Sequence, residues 1–471
     1  MKHIRFLLQY FHSAVLCAFI IGLSGCMSAQ EDTSSSETFS VSKESTSFVS
    51  SQENTETETI KTISGTIEST DNNLITIKTN QSKPLTFSTA EAEMITGITG
   101  LLAGNSVTVT YTEKSDQEIY KVQKIIVTDS EDNLKNAKVL EILNDMTIEE
   151  KVNQMIITKS SEMNAQISLS DGCSLGGCIL FAADFENRTK EESSDFIKSL
   201  QSSSKIPLLI GVDEEGGSVN RISKFSAYRN TPFLSPQELY SQGGFELIKS
   251  DTIEKCQLLK GLGINVNFAP VCDIAQSSQD FIYSRTFGGN ASDTSEYVQT
   301  VVSAMHEEGV ISVLKHFPGY GGSSDTHTGL ARDSRSADEF WESDLLPFQA
   351  GIQAGAEIVM VSHNIVECFD SERPASISPA IHDLLRNDLE FDGVIITDDL
   401  SMDGILDYAG ENAAVEAILA GNDLLCCTNY SLQISAVLEA INNGEISEER
   451  LDESVKRILK LKIEMGLIAW E

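Results

Sequence analysis

The sequence predicts an α/β protein: a (β/α)8 barrel of the TIM type, preceded by a small all-β domain and a disordered tether. Three observations support this prediction. Eight short apolar runs alternate with helix-like segments from about residue 134 onward. A Thr- and Ile-rich stretch with a period of two precedes them, and an almost purely polar stretch lies before that.

The barrel prediction, for residues 134–471, depends on the eight apolar runs. Each run is continuous rather than alternating, which is typical of parallel strands buried on both faces. Helix signals lie between the runs; Ser336 and Glu339, for example, have the spacing of a capping box. Eight such units predict a closed barrel. In chain order the runs are QMIIT, GGCILFA, IPLLIGVD, NVNFAPVCD, ISVLKHF, EIVMVSH, GVIITDD and NDLLCCT.

The segment 58–130 is typical of a small antiparallel β-domain. Val107, Val109 and Tyr111 alternate with threonines, and turn-forming residues precede the alternating runs. The segment holds no cluster of His, Asp or Glu that indicates catalysis. A spacer or a weak binding module is therefore the expected role.

Residues 1–25 have the form of a secretory signal. Lys2 and Arg5 precede an apolar run that ends in the sequence LSGC. This ending resembles the lipobox of bacterial lipoproteins, in which the cysteine, here Cys26, is lipidated and becomes the new N-terminus. An uncleaved membrane anchor is the alternative, since the run is nearly long enough to span a bilayer.

The stretch that follows favours lipidation over an uncleaved anchor. Residues 26–57 are rich in Ser, Thr and Glu and cannot bury a core, which is typical of a flexible tether. A lipidated cysteine followed by a tether predicts a protein anchored by lipid to the extracytoplasmic face of the cell membrane.

The composition excludes several classes of partner and cofactor. A formal net charge of −36 argues against nucleic acid as a partner. The nine cysteines lie mostly in apolar runs, and their spacing matches no zinc motif or disulfide framework. We therefore expect no metal site and no cofactor.

Ionisable residues stand where several of the apolar runs end. In a (β/α)8 barrel, the carboxyl ends of the strands build the active site. A single polar residue there is more often a helix cap, but five strands with ionisable ends would crowd charge at one rim at a desolvation cost. The pattern predicts a site formed by Asp213, Asp273, Lys315, His316, His363 and Asp398.

Many motifs in a fixed order resemble those of glycoside hydrolase family 3, and within it the β-N-acetylhexosaminidase branch. The resemblance covers nearly all of residues 140–471 and implies a retaining glycosidase that works through a covalent glycosyl-enzyme. It is specific because the motifs occur together. They are MTIEEKVNQM (146–155), GVDEEGGSVNRI (211–222), NVNFAPVCDI (265–274), SRTFGGN (284–290), KHFPGYG (315–321), DTH (325–327), RPASIS (373–378), FDGVIITDDLSMDGI (391–405) and AGNDLL (420–425).

The resemblance assigns the nucleophile to Asp398, the first aspartate after the seventh apolar run. A carboxylate suits this role because its charge also stabilises an oxocarbenium-like transition state. Asp399 follows at once and points elsewhere along a pleated strand, so we expect it to have a structural or helix-capping role.

Retaining glycosidases usually pair two carboxylates, whereas this branch uses an Asp-x-His dyad on a mobile loop. Asp325 and His327 match the dyad. On an extended backbone the two side chains lie on one face, so the carboxylate can accept the ring N–H and favour an imidazolium, an acid near neutral pH. Gly319, Gly321 and Gly322 are expected to give the loop freedom to move. An Asp-His pair without function is the alternative for these two residues taken alone.

The resemblance also implies a set of residues that hydrogen-bond the hydroxyls of the terminal sugar. Carboxylates, guanidinium groups and an ammonium are efficient partners for hydroxyls. Asp273 and His363 lie near the same rim and are expected to support the set from behind. The matching sugar-binding positions are Asp213, Arg221, Arg285, Lys315 and His316.

Three features depart from the family pattern. Tyr320 stands where the family often has histidine, and Ser218 replaces a frequent arginine. The loop between Lys315 and His327 looks about one residue shorter than usual. These departures put the leaving-group preference and the loop geometry in question but spare the expected nucleophile and dyad.

The expected function is the removal of terminal β-linked N-acetylglucosamine from a carbohydrate substrate. Muropeptides, chitin fragments and glycoconjugates are the alternative substrates.

The chain ends about seventy residues after Asp398, which leaves no room for the second-domain glutamate acid of many β-glucosidase relatives and favours a histidine acid. Two other functions stay open. One is a glycoside phosphorylase, because histidine would not repel phosphate, and the other is a lipoprotein that binds sugars without turnover.

Overall fold

A computed structural model describes residues 59–470, apart from residues 82, 114–119, 170–172, 323–328 and 429. The predicted signal sequence, Cys26 and the predicted tether lie outside the described residues, and so do Asp325 and His327. Within the described ranges, no helix is both long enough and apolar enough to span a bilayer.

The first part of the described chain is a six-stranded β-sheet with a hydrophobic core of its own. Alternate residues of its fifth strand, Val107, Val109 and Tyr111, face this core, and the threonines between them form the other face. The strands are β1 (Thr59–Asp71), β2 (Leu74–Lys78), β3 (Leu85–Ser88), β4 (Glu93–Ile95), β5 (Ser106–Glu113) and β6 (Lys121–Thr128). They pair in the order β3-β2-β1-β5-β6-β4, antiparallel except where β4 lies beside β6.

The second part is a barrel of eight parallel strands. Its strands, with a separate pair formed by β12 and β14, are β7 (Ile156–Lys159), β8 (Gly177–Leu180), β9 (Leu209–Val212), β10 (Val266–Asn267), β11 (Ile311–Phe317), β12 (Arg332–Asp333), β13 (Ile358–Val361), β14 (Ile365–Val366), β15 (Val394–Thr397) and β16 (Leu425–Cys426). They follow the order β15-β13-β11-β10-β9-β8-β7-β16, and a bridge between Ile396 and Leu424 joins the two ends. Each of the eight predicted runs overlaps one strand, which confirms the predicted (β/α)8 fold.

Helices connect the strands and cover the outside of the barrel. They are α1 (Glu131–Asn144), α2 (Ile148–Gln154), α3 (Ser160–Leu169), α4 (Lys190–Ser202), α5 (Pro236–Leu262), α6 (Ala291–Glu308), α7 (Ala337–Glu339), α8 (Leu345–Gln353), α9 (Pro379–Asp383), α10 (Asp403–Ala409), α11 (Ala413–Ala420), α12 (Tyr430–Asn442) and α13 (Glu448–Glu464). The capping box predicted for Ser336 and Glu339 is confirmed and begins α7, which a π-helical segment joins to α8.

The side chain of Asn105 connects the six-stranded sheet to α1. Its Oδ1 accepts hydrogen bonds from the backbone N–H of Ser130 at 2.7 Å and from Nδ2 of Asn133 at 2.8 Å. Its Nδ2 donates to Gly100 O at 2.8 Å. Ser130 is the N-cap of α1, so one buried amide fixes the start of this helix to the sheet.

Asp423, which is fully buried, stabilises the barrel where β15 meets β16. Its Oδ2 accepts from Nη2 of Arg386 at 2.6 Å and from the backbone N–H of Ile395 at 3.0 Å. Its Oδ1 accepts from Arg457 at 3.0 Å and from Ser454 at 2.9 Å. The carboxylate thus connects the last two strands to α13, and each of these four groups donates a hydrogen bond to it.

A second buried charge-bearing group, Lys462 of α13, lies near the amino ends of the strands. Its Nζ donates to Gln154 Oε1 at 2.8 Å and to Gly176 O at 3.0 Å. Burial lowers the pKa of Lys462 to about 7, because neither acceptor carries a negative charge. A neutral amine has two N–H donors, and the two acceptors match them.

Candidate active site

A cavity of about 420 Å³ opens at the carboxyl ends of the barrel strands. Six of the predicted site residues face it together. Its apolar wall includes Phe181 of the β8 end, Met360 of β13 and Cys426 of β16. The acidic and basic lining residues are Asp213, Glu215, Arg221, Arg285, Lys315, His316, Asp398, Asp399 and Asp403.

Lys315 lies in the floor of this cavity and is only 2% exposed. Its Nζ donates to Asp213 Oδ1 at 2.7 Å and lies 2.7 Å from Glu215 Oε1. Burial alone would lower the pKa of Lys315, but the negative charges of Asp213 and Glu215 raise it above its ordinary value. The cavity therefore has a permanent positive charge in its floor.

Arg285 binds the carboxylate of Glu215 through two hydrogen bonds. Nε donates to Oε2 at 3.0 Å and Nη2 donates to Oε1 at 2.8 Å. Burial favours the protonated form of Glu215, but the charges of Lys315 and Arg285 outweigh it and hold the pKa of this carboxyl well below its usual range. The cavity floor is thus a network of paired charges.

Glu215 is a site residue that the sequence analysis did not identify. A signal was present, because it stands two residues after Asp213 in an extended segment. Residues two apart in such a segment point to the same side, so a site that uses Asp213 also receives Glu215.

The ring of His316 lies between Asp273 and Arg285. Its Nδ1 is 2.7 Å from Asp273 Oδ2, and its Nε2 is 3.3 Å from Arg285 Nη2. A guanidinium only donates and a carboxylate only accepts, which assigns the proton to Nδ1 and the lone pair to Nε2. Both ring nitrogens of His316 are therefore engaged by protein partners, Nδ1 by Asp273 and Nε2 by Arg285.

Asp273 lies behind His316 and is buried. Its Oδ1 accepts the backbone N–H of Tyr320 at 2.8 Å, and the ring of Tyr320 packs at 5.1 Å from the ring of His316. One carboxylate thus fixes both the imidazole and the backbone turn that follows it.

Asp398 follows β15 directly and is partly exposed in the cavity. Its Oδ1 accepts the backbone N–H of Asp399 at 2.8 Å, and its own N–H donates to Val361 O at 2.9 Å. Asp399 lines the same cavity, so it does not point away from it as expected. Its Oδ1 nevertheless accepts from Ser401 N at 2.9 Å and from Thr428 N at 3.3 Å, which agrees with the structural role expected for it. The two adjacent aspartates therefore differ in their contacts: the carboxylate of Asp399 holds the backbone of Ser401 and Thr428, whereas that of Asp398 accepts the N–H of Asp399.

His363 is fully buried and lies under this turn. Its Nδ1 is 2.7 Å from Ser376 Oγ, and its Nε2 is 3.1 Å from the carbonyl oxygen of Asp399. The ring therefore supports the backbone that follows Asp398 and does not line the cavity.

The side chain of Arg221 reaches the cavity with few contacts of its own. Nη2 lies 3.8 Å from Asp213 Oδ2, and the guanidinium is 6.0 Å from the centre of the Phe181 ring. Nε is buried and has no hydrogen-bond partner among the described residues. Arg221 is thus the least constrained cation of the lining.

Two of the three glycines near the predicted dyad, Gly319 and Gly321, are required by local packing. Gly319 and Gly321 have positive φ angles of 121° and 53°. A Cβ atom would collide with Asp344 at the first position and with Arg335 at the second. These two glycines therefore allow close packing against the ion pair of Asp344 and Arg335. Asp325 and His327 lie outside the described residues, so the dyad stays a prediction.

The lining suits a neutral, polyhydroxylated ligand. Carboxylates and cations line the cavity together, so they offer acceptors and donors to one ligand. Within the described part of the chain, no group of three or more His, Cys, Asp or Glu residues has the arrangement of a metal site.

Comparisons with known proteins identify relatives of this arrangement. Residues 147–461 match the family model described as glycosyl hydrolase family 3 N terminal domain. A β-hexosaminidase A from Pseudoalteromonas piscicida is 32% identical over 337 residues, which span 65% of this chain and 56% of that enzyme. The chain thus spans about half the length of this curated relative.

Solved structures also resemble the fold, and two of them are informative. A family 3 β-N-acetylglucosaminidase from a Paenibacillus strain has a TM-score of 0.63 and 30% identity, covering 69% of this chain and 64% of that one. A β-glucoside phosphorylase has a TM-score of 0.64 and 25% identity, covering 72% of this chain and 62% of that one.

Proposed function

The chain belongs to glycosyl hydrolase family 3, and we propose that it is a retaining β-N-acetylhexosaminidase that removes terminal β-linked N-acetylglucosamine. Relatives described as β-hexosaminidase and β-N-acetylglucosaminidase support the substrate class. The observation that carries the proposal is the position of Asp398, at a strand end and in one cavity with Asp213, Arg221, Arg285, Lys315 and His316.

In the first step, a carboxylate oxygen of Asp398 bonds to the anomeric carbon as the bond to the leaving oxygen breaks. The hydrogen bond from the backbone N–H of Asp399 fixes the plane of this carboxylate. The leaving oxygen takes a proton from the imidazolium of His327, whose proposed partner is Asp325. A covalent glycosyl-enzyme results.

In the second step, water attacks the same carbon and Asp398 leaves as a carboxylate. The neutral imidazole of His327 takes the proton of the water, which restores the acid for the next cycle. His316 is unsuited to this role because Arg285 occupies its Nε2 as a donor. The cations and carboxylates of the floor hold the sugar hydroxyls during both steps.

Phosphorolysis is a second candidate because one structural relative is a β-glucoside phosphorylase. Phosphate would then replace water in the second step, and the product would be a sugar 1-phosphate. Turnover with and without inorganic phosphate separates the two functions: phosphate-independent release of free N-acetylglucosamine supports hydrolysis.

The test of the proposal compares Asp398→Ala with His327→Ala on two substrates that differ in leaving group. Asp398→Ala should abolish turnover of both. A nitrophenolate departs almost unaided, so His327→Ala should still release one equivalent of nitrophenol in a burst and then stall. A disaccharide needs the proton, and its first step should lose about 10²–10⁴-fold.

Asp325→Ala provides the matched control, since it removes the orienting group and keeps the acid. Its losses should follow the same order as those of His327→Ala but be smaller. Equal losses on both substrates in His327→Ala would mean that this residue binds sugar rather than transferring a proton.

We also propose that the mature protein starts at a lipidated Cys26 on the extracytoplasmic face of the membrane. Membrane fractions and the mature N-terminus would be compared for the wild type and Cys26→Ala. The variant should appear in the soluble fraction or stay as the uncleaved precursor. Membrane retention of a Cys26→Ala chain that starts at residue 26 would contradict lipidation.

A further inference from the structure

The three consecutive acids at the end of β9 point in alternating directions. Asp213 and Glu215 contact Lys315 in the cavity, as described above. Glu214 lies between them and points away, into the protein, where it is fully buried. Its role therefore differs from that of its two neighbours.

The carboxylate of Glu214 accepts three backbone N–H groups of one turn. Oε2 accepts from Arg221 N and from Ile222 N, both at 2.8 Å, and Oε1 accepts from Ser223 N at 3.1 Å. Both carboxylate oxygens are acceptors here, and charge-assisted hydrogen bonds of this kind are the strong ones. Glu214 therefore fixes the backbone that carries Arg221.

Glu214 is itself fixed to the barrel by Asn267 of β10. Asn267 Oδ1 accepts the backbone N–H of Glu214 at 3.0 Å, and Asn267 Nδ2 donates to Glu214 O at 3.1 Å. Glu214 thus links the turn at 221–223 to the barrel wall. Ile222 also packs in the hydrophobic core, but the N–H of Arg221 itself is held by Glu214.

The side chain of Arg221 has no comparable support. Its contact with Asp213 is long, at 3.8 Å, and its Nε has no hydrogen-bond partner among the described residues. The guanidinium is aimed into the cavity mainly by the backbone from which it extends. A shift of that backbone would move the guanidinium without changing the rest of the floor.

We propose that Glu214 is a positioning residue for sugar binding, which acts by holding the backbone of Arg221 so that its guanidinium reaches a hydroxyl of the terminal sugar. This inference rests on the proposed function, because it takes Arg221 to be a sugar ligand. A carboxylate that only stabilised the fold would have no selective link to Arg221.

A double-mutant cycle tests this link, with Glu214→Ala, Arg221→Met and the double variant. The readouts are kcat and KM on nitrophenyl N-acetylglucosaminide, the Kd of N-acetylglucosamine by calorimetry, and the Tm. Glu214→Ala should raise KM and Kd about 10-fold, as expected for the loss of one charge-assisted contact, and change kcat little. In the Arg221→Met background, the same change should alter KM less than about 2-fold.

Two further variants distinguish positioning from general loosening of the turn. Ser223→Ala removes the hydroxyl bonds of Ser223 but keeps all three bonds to Glu214, so it should lower the Tm without raising KM. Glu214→Gln keeps one carbonyl oxygen that can accept from Arg221 and Ile222 but loses the charge and the acceptor for Ser223 N. It should therefore raise KM and Kd by about 3-fold, less than Glu214→Ala does, and this rise should vanish in the Arg221→Met background. Glu214→Gln also keeps the test available if Glu214→Ala fails to fold.

Additive effects of Glu214→Ala and Arg221→Met on KM and Kd would overturn the inference. So would a lowered Tm with unchanged Kd in both Glu214 variants. If the wild type neither turns over the nitrophenyl substrate nor binds N-acetylglucosamine, the proposed function is wrong. Binding by the wild type that is insensitive to Glu214 overturns only the positioning role.

Discussion

The two ends of the barrel each bury a lysine, and the two lysines behave in opposite ways. Lys315, at the carboxyl end, is 2% exposed, and Lys462, near the amino end, is 0% exposed. The pKa of Lys315 lies above its ordinary value, whereas that of Lys462 falls to about 7. Burial is the same in both places, so the difference comes from the neighbours.

The neighbours of Lys315 are carboxylates, and those of Lys462 are neutral oxygens. A buried charge is stable only where opposite charges and hydrogen bonds replace its hydration. The carboxyl end of the barrel supplies them, and it holds a charged floor at every ordinary pH. The amino end supplies Lys462 with two neutral hydrogen-bond acceptors, Gln154 Oε1 and Gly176 O, which indicates a structural role for this lysine.

The largest effect should follow from Lys315→Met. The substitution leaves Asp213 and Glu215 as buried carboxylates that have lost one cation, and breaking a buried pair typically costs about 3–5 kcal/mol of the free energy of unfolding. We expect kcat/KM on nitrophenyl N-acetylglucosaminide to fall about 10²-fold, since the proposed charge-assisted contact of Lys315 with the sugar would be lost. Urea unfolding and steady-state kinetics would measure both.

The matched control is the same substitution at the other end, Lys462→Met. It should leave kcat/KM within about 2-fold of the wild type at neutral pH. An equal loss of kcat/KM in both variants would mean that Lys315 acts through the fold and not through the cavity.

The second effect concerns pH and separates the two ends further. Between pH 7 and 10.5, the unfolded chain keeps the proton of Lys462 and the folded protein releases it. The free energy of unfolding should therefore rise with pH in this window, by about 1.4 kcal/mol per pH unit from this group. Subtracting the urea-unfolding data of Lys462→Met should isolate this slope, and a difference independent of pH would show that Lys462 stays charged.

The smallest effect should follow from removal of the six-stranded sheet with α1 retained. A chain that starts at Asp129 keeps both lysines and every residue that lines the cavity, and α1 still packs on α13. We expect kcat/KM to stay within about 2-fold and stability to fall by about 1–2 kcal/mol, because α1 loses the contacts made by Asn105. A folded truncation without turnover would mean that the sheet contributes to the site.

The sequence predicted the barrel well because its strands are local and strongly marked. Eight apolar runs with ionisable ends predict both the parallel strands and the rim at which the side chains meet. The structural role of Asp399 was also predicted, but the alternation argument behind it does not apply, because both aspartates follow the last residue of β15 and both line the cavity. The predicted start of the barrel domain at residue 134 falls within α1, which begins at Glu131 with Ser130 as its cap.

The features that were missed depend on pairing between distant residues. Lys462 lies on a helix rich in charged residues, where a lysine is expected to face solvent, and its partner Gln154 is 308 positions away in the sequence. Glu214 likewise reads as one more acid beside Asp213. Only the fold reveals that it binds the backbone of a turn and not a cation.

Asn105 has a consequence for how force travels through the molecule. Its amide makes the start of α1 part of the six-stranded sheet, and α1 packs against α13. A pull on β1 would pass through this joint into the barrel instead of stretching a soft linker. Suppose that another domain replaced the six-stranded sheet. It would keep a fixed orientation relative to α1 only if it offered an acceptor for the N–H of Ser130, so Ser130 is the natural junction for designing chimeras.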